Sequence, residues 1–152
     1  MRALLAALLL AAGLPIRQVS EIASLKGQGK PAVLHFWATW CEACRDEFPA
    51  LHSRLVKLPS RGVKVELVSI DRPDDREKAA RMLRDFKLGA LPAVLLDAPD
   101  PDPVAAMVGE PKWDGTLPAT FVYDARGKLA KSFLGRIGNP AELDAAVRKV
   151  MP

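Results

Sequence analysis

The chain has 152 residues, 49% hydrophobic and 26% charged, the size and mix of one globular domain with a core of its own. Lys and Arg number 22 against 18 acidic residues, so the net charge is +4 and the pI about 9.3. No basic stripe accompanies that charge, which sets nucleic-acid binding aside, and two cysteines inside one short motif exclude a disulfide-stapled scaffold.

Met1-Arg2 supplies one positive charge, and Ala3 to Ala12 is wholly apolar. A helix without a polar face cannot lie on the surface of a domain, and this run falls short of the ~20 residues that span a bilayer. Small residues follow at Ala11-Ala12-Gly13. Residues 1–15 therefore read as a secretory signal peptide, removed or kept as a short membrane anchor, ahead of a domain at 16–152. A buried first helix is the alternative.

Ser20 is the expected cap of a brief helix, Glu21 to Leu25, and 26–31 is rich in turn residues. Val33 to Ala38 is a nearly continuous apolar run, the pattern of a strand covered on both faces, interrupted by His35. From Cys41 a helix is predicted, with Phe48, Leu51, Leu55 and Leu58 on its core face and a kink at Pro49. A second strand, Val63 to Ile70, ends at Asp71-Arg72-Pro73. The helix predicted over 74–87 carries Ala79, Met82, Leu83 and Phe86 at helical spacing, with acids at its start and bases at its end.

Five prolines break 89–114, which reads as an insertion with a possible short strand at Val94 to Leu96 and one helical turn near Val104 to Met107. Thr120 to Tyr123 and Leu129 to Leu134 flank Asp124-Ala125-Arg126-Gly127-Lys128, a hairpin pattern. Asn139 is the expected cap of a last helix, with Pro140 at its first position and Leu143, Ala146, Val147 and Val150 buried. The order predicts an α/β fold: a mixed central sheet flanked by helices on both faces, with an insertion before the last hairpin.

Two cysteines three apart, straight after a buried strand and at the mouth of a helix, read as a dithiol that opens and closes. As a staple the bond would close a very short loop, worth about 2 kcal/mol against ~4.7 for a loop of a hundred residues. The stretch Phe36 to Leu51, FWATWCEACRDEFPAL, resembles the active-site signature of thioredoxin-like proteins, and more narrowly the envelope thiol–disulfide oxidoreductases of the TlpA/ResA group. The resemblance extends to Gly115 to Asp124, GTLPATFVYD, and the Arg126-Gly127-Lys128 turn. It implies a thioredoxin fold, a Cys41–Cys44 redox couple and a cis peptide before Pro118. It also implies a periplasmic or other extracytoplasmic monomer without a dissociable cofactor. Its partners would be disulfide-containing envelope proteins, with cytochrome c maturation or related housekeeping as the setting, and a membrane thiol protein as electron donor.

Only a thiolate attacks a disulfide. Cys41, at the helix start, meets free N–H groups and the positive end of the dipole; Cys44 lies one turn in. Cys41 is thus the expected nucleophile and Cys44 the resolving thiol. The dipole supplies at most ~2 kcal/mol, too little to bring a thiol from ~8.5 to the ~3.5 of a strong oxidant. Glu42 pushes the other way, so a reductant is predicted.

Around the sulfurs, Trp40 is expected to shield the thiols, Ala43 completes the motif, and Leu117 and Pro118 would pair backbone groups with an extended substrate. Leu91-Pro92 imitates the second motif but no glycine-turn hairpin follows it. His35 stands where relatives carry an acid or asparagine; it reads as neutral core or as the proton acceptor of Cys44. Glu47 is a candidate for the active-site cavity, Pro49 a matter of shape, Trp37 core, and Trp113 a possible groove residue. Three other readings use the same sulfurs: zinc held with His35 and His52, a thiol peroxidase, and a metal-delivery module.

Overall fold

The computed structural model describes residues 13–152; the segment read as a leader or anchor falls almost wholly on residues 1–12, outside that range. Six strands form one sheet: β1 (Ile16–Gln18), β2 (Ala32–Trp37), β3 (Lys64–Ser69), β4 (Ala93–Asp97), β5 (Ala119–Tyr123) and β6 (Leu129–Leu134), in the order β1-β4-β3-β2-β5-β6. The first four run parallel and β5 and β6 antiparallel to their neighbours, a mixed sheet. The helices are α1 (Glu42–Lys57), α2 (Arg76–Asp85), α3 (Pro101–Val108) and α4 (Ala141–Val150).

Strand β2 is buried along its whole length because both of its faces are covered. Val33 and Trp37 join Phe48, Leu51 and Leu55 of α1, Leu83 of α2 and Leu143 and Val147 of α4. Leu34 and Phe36 point the other way, to Val104 and Val108 of α3 and to Trp113. Two consecutive parallel crossovers, β2-α1-β3 and β3-α2-β4, step the same way along the sheet. The right-handed rule therefore puts α1 and α2 on one face.

Four sequence expectations shift. Residues 16–18 add an edge strand paired with β4, in register Ile16 to Leu95. The first short helix is a 3-10 turn over Val19–Ser24, stabilised where the Gln18 N–H donates to Glu21 Oε2 at 2.7 Å, so Ser20 is not its cap. The segment 89–114 is only partly an insertion. Ala93–Asp97 is an integral strand between β1 and β3, and 101–108 forms a helix, begun by Asp100 Oδ1 accepting the Asp102 N–H. Finally, α4 starts at Ala141, with Asn139 Oδ1 accepting its N–H at 3.0 Å. Leu14, inside the segment 1–15, is only 3% exposed and packs in the core of α1 and α2.

Candidate functional site

Strand β2 runs out at Trp37, and the chain turns through Ala38-Thr39-Trp40 into α1. Cys41 is the N-cap residue: its backbone is extended, its N–H donates to the Ala38 carbonyl, and its carbonyl accepts from Arg45. The two cysteines are joined as a disulfide with their Cα atoms 5.3 Å apart. Cys41 Sγ accepts the Cys44 N–H at 3.1 Å, the place where a serine or aspartate would cap a helix. Cys41 is 7% exposed and Cys44 fully buried, so an incoming sulfur meets Cys41. Beside it Trp40 is 64% exposed, a large apolar side chain left in solvent at the mouth. Glu42 is exposed in the first turn and Ala43 half-buried.

The other side of the mouth is built by the second motif. Leu117–Pro118 is cis, the one such bond among the described residues, whereas Leu91–Pro92 at the head of β4 is trans. Leu117 is half-buried and packs against both cores, including the one that holds the two cysteines. The Pro118 carbonyl accepts the Gly135 N–H at 2.8 Å, which closes the β5–β6 end against this loop.

Beneath the first turn of α1 lie two buried titratable groups. Glu47 follows Cys44 by three residues on one helix face. Its Oε2 accepts the Ile137 N–H at 2.6 Å, while its buried Oε1 has no hydrogen-bond partner. Burial pushes the Glu47 carboxyl up from the ordinary range, against a downward pull from the Ile137 N–H and the Arg136 charge. Arg136 itself pairs with Asp46 at 3.0 Å. His35 is fully buried on the α1 side of β2. Its Nδ1 bonds Thr120 Oγ1 at 2.8 Å, and its Nε2, without a hydrogen bond, lies 4.0 Å from Glu47 Oε1. Burial pushes the imidazole down to about 4, so it is neutral in the fold.

The remaining candidates fall away from the sulfurs. Trp37 is fully buried, 5.4 Å from the Phe48 ring. Trp113 is 3% exposed on the opposite face, 5.0 Å from Phe36 and 5.2 Å from Phe121, and donates Nε1–H to the Thr116 carbonyl. Its edge lines a cleft of about 200 Å³ with Ile70, Pro99 and Pro101. Pro49 lies inside α1 on its exposed side. His52 bonds the Lys87 carbonyl through Nε2 at 3.1 Å, on a different part of α1 from the cysteines. Among the described residues no three His, Cys, Asp or Glu side chains gather as a metal site.

The sequence reading passed over three residues of this site. Thr39 and Asp71 tie the turn before Cys41 to the end of β3, and Ile137 holds Glu47. The first pair is 32 residues apart and the second 90, so no local pattern links them. The one local signal is the polar pair Ser69 and Asp71, two residues apart where β3 ends.

A family description, "AhpC/TSA family", matches residues 13–132. A thiol-disulfide oxidoreductase ResA from Bacillus subtilis is 31% identical over 121 residues, covering 76% of this chain and 58% of its own length. The thiol:disulfide interchange protein DsbE of Escherichia coli is 36% identical over 113 residues, covering 74% of this chain and 54% of its own. The chain thus spans a little over half the length of these curated relatives. Among solved structures, a thiol:disulfide interchange protein of the thioredoxin family from Chlorobium tepidum superposes with a TM-score of 0.63 at 24% identity, over 86% of this chain and 84% of its own. At that identity the likeness shows the fold.

Proposed function

The chain belongs to the AhpC/TSA family of thioredoxin-like proteins, among relatives named thiol-disulfide oxidoreductases, and from that premise we propose that it reduces disulfides in other proteins through Cys41 and Cys44. The observation that carries the reading is the asymmetry of the pair: one cysteine on a helix N-cap with a small exposed fraction, its partner wholly buried a turn below.

The chemistry follows from that arrangement. The Cys41 thiolate attacks one sulfur of a substrate disulfide; a mixed disulfide forms and the other substrate sulfur leaves as a thiolate, which takes a proton from solvent. Cys44 then attacks Cys41 Sγ, closing the internal disulfide and releasing the second substrate thiol. Two electrons pass from the pair to the substrate, and the Cys44 proton must go to a base. Glu47 is the group placed to take it: it shares a helix face with Cys44, keeps one oxygen unpaired, and is drawn by burial toward the proton-bearing form. His35 stays neutral core beside it, its Nε2 4.0 Å from that oxygen and not hydrogen-bonded to it. Trp40 and the Leu117–Pro118 loop flank the sulfur and give an extended substrate segment an apolar wall and backbone partners.

The finer setting follows from the same reading. The apolar start of the chain directs it out of the cytoplasm, cleaved or as a tether; no helix among the described residues is long and apolar enough to cross a membrane. In an oxidising compartment a reductant needs a supply of electrons, which a membrane thiol protein would pass to the Cys41–Cys44 disulfide. Its substrates are cysteine pairs of envelope proteins, cytochrome c precursors among them. The test is the position of the glutathione equilibrium, together with capture of mixed disulfides on a Cys44→Ser variant. A couple well below the glutathione pool and trapped envelope proteins support the reading; a couple near −120 mV, that of a strong oxidant, overturns it.

A further inference from the structure

The turn that carries Cys41 is fastened by a charged group that the exchange reaction leaves unused. Asp71, just past the end of β3, is 2% exposed. Its carboxylate accepts the Thr39 N–H at 3.1 and 3.0 Å, the Thr39 hydroxyl at 2.6 Å and the Ser69 hydroxyl at 2.7 Å. Ser69 Oγ in turn accepts the Asp71 N–H at 3.0 Å, so the Ser69 hydroxyl hydrogen is committed to the carboxylate. Both carboxyl oxygens face donors only, the environment of an ionised acid. A tie between two strand ends needs no charge, since an amide oxygen accepts the same N–H, and burying a carboxylate is costly. Thr39 stands two residues before Cys41, and the Cys41 N–H returns to Ala38, so the carboxylate is bonded to the same turn that leads into the sulfur.

Resting on the reading above, in which Cys41 attacks as a thiolate, we propose that Asp71 is a positioning residue that keeps the couple reducing. In the exchange with glutathione disulfide, the Cys41–Cys44 bond forms and the glutathione S–S bond breaks, as two electrons and two protons pass to glutathione disulfide and give two glutathione thiols. The protein disulfide is neutral and the dithiol side carries the thiolate. A fixed negative charge bonded to the turn raises the energy of the thiolate alone, and so favours giving the electrons away.

The test measures, on the full chain, the equilibrium constant for oxidation by glutathione disulfide and the pH dependence of thiolate absorbance. Asp71→Asn keeps an acceptor for Thr39 and removes the charge. It is expected to lower the equilibrium constant about tenfold and to shift the thiolate profile about one pH unit downward. Asp71→Ser reads the same shift where the asparagine does not fold. Thr39→Val is the control: it cuts one tie, leaves the charge, and should lower the melting temperature with the equilibrium constant unmoved. An unchanged constant in both Asp71 variants overturns the proposal, as does an equal shift in Thr39→Val, which would trace the effect to the shape of the turn. A wild-type couple on the oxidising side would defeat the reductant reading alone, because the role of Asp71 is judged on the difference between variants.

Discussion

At the scale of single residues, the two buried groups beneath α1 are separable by kinetics. Glu47→Gln removes the base and is expected to slow closure of the internal disulfide by about 10²-fold, with attack by Cys41 unchanged, in a quenched-flow assay of the mixed disulfide. His35→Asn keeps a polar core residue opposite Thr120 and should leave closure at its wild-type rate; a fall equal to that of Glu47→Gln would make the imidazole the acceptor. The cysteines, Trp40 and the Leu117–Pro118 loop were legible in the sequence because their pattern is local, set within a few residues of a strand end. Asp71 and Ile137 were not, since each meets its partner only when distant parts of the chain fold together.

At the scale of elements, the strongest steric demand falls on a turn. Gly27 has φ +53°, and a methyl group on it would overlap the backbone of Gly127 in the β5–β6 turn. Gly27→Ala should therefore cost more than about 2 kcal/mol, from the left-handed backbone and the clash together. Urea unfolding would show it as a lower midpoint at constant slope. Phe48 is the knob by which α1 grips β2, fully buried against Trp37, His35 and Phe86. Phe48→Ala is expected to lose about 3–5 kcal/mol in the same measurement. The long periodic helices and the apolar strands were readable because their periods extend over enough residues. Strand β4 was obscured by Pro92 before it and Pro99 after it, although its Val94-Leu95-Leu96 core carries the pattern. Strand β1 is three residues long, with Arg17 and Gln18 in it; only its pairing with β4 makes it a strand.

For the molecule as a whole, two buried groups tilt stability against pH in opposite senses. Burial holds His35 neutral down to about 4, below the ordinary imidazole value of 6.5. As pH falls through that window the unfolded chain takes up a proton that the fold refuses, and stability drops, by up to about 3 kcal/mol at the acid end. Glu66, buried in β3, is pushed up to about 7 from 4.5 by burial, against the pull of Lys64 and Arg17. Here the fold keeps a proton that the unfolded chain releases, so stability drops as pH rises through the window. The wild type should be nearly level where the windows overlap. Glu66→Gln is expected to expose a rise of stability with pH, and His35→Asn a fall, in urea titrations run across pH about 4 to 7. The bond between Cys41 and Cys44 couples that same folding free energy to electrochemistry. Folded and unfolded, oxidised and reduced, the protein has four corners of one thermodynamic cycle. Any gap in unfolding free energy between its two redox forms must reappear as an offset between the folded couple and that of the denatured chain, about 1.4 kcal/mol for each 30 mV. A strong reductant is then the protein whose disulfide form resists denaturant better, and two chemical melts weigh the electron without an electrode.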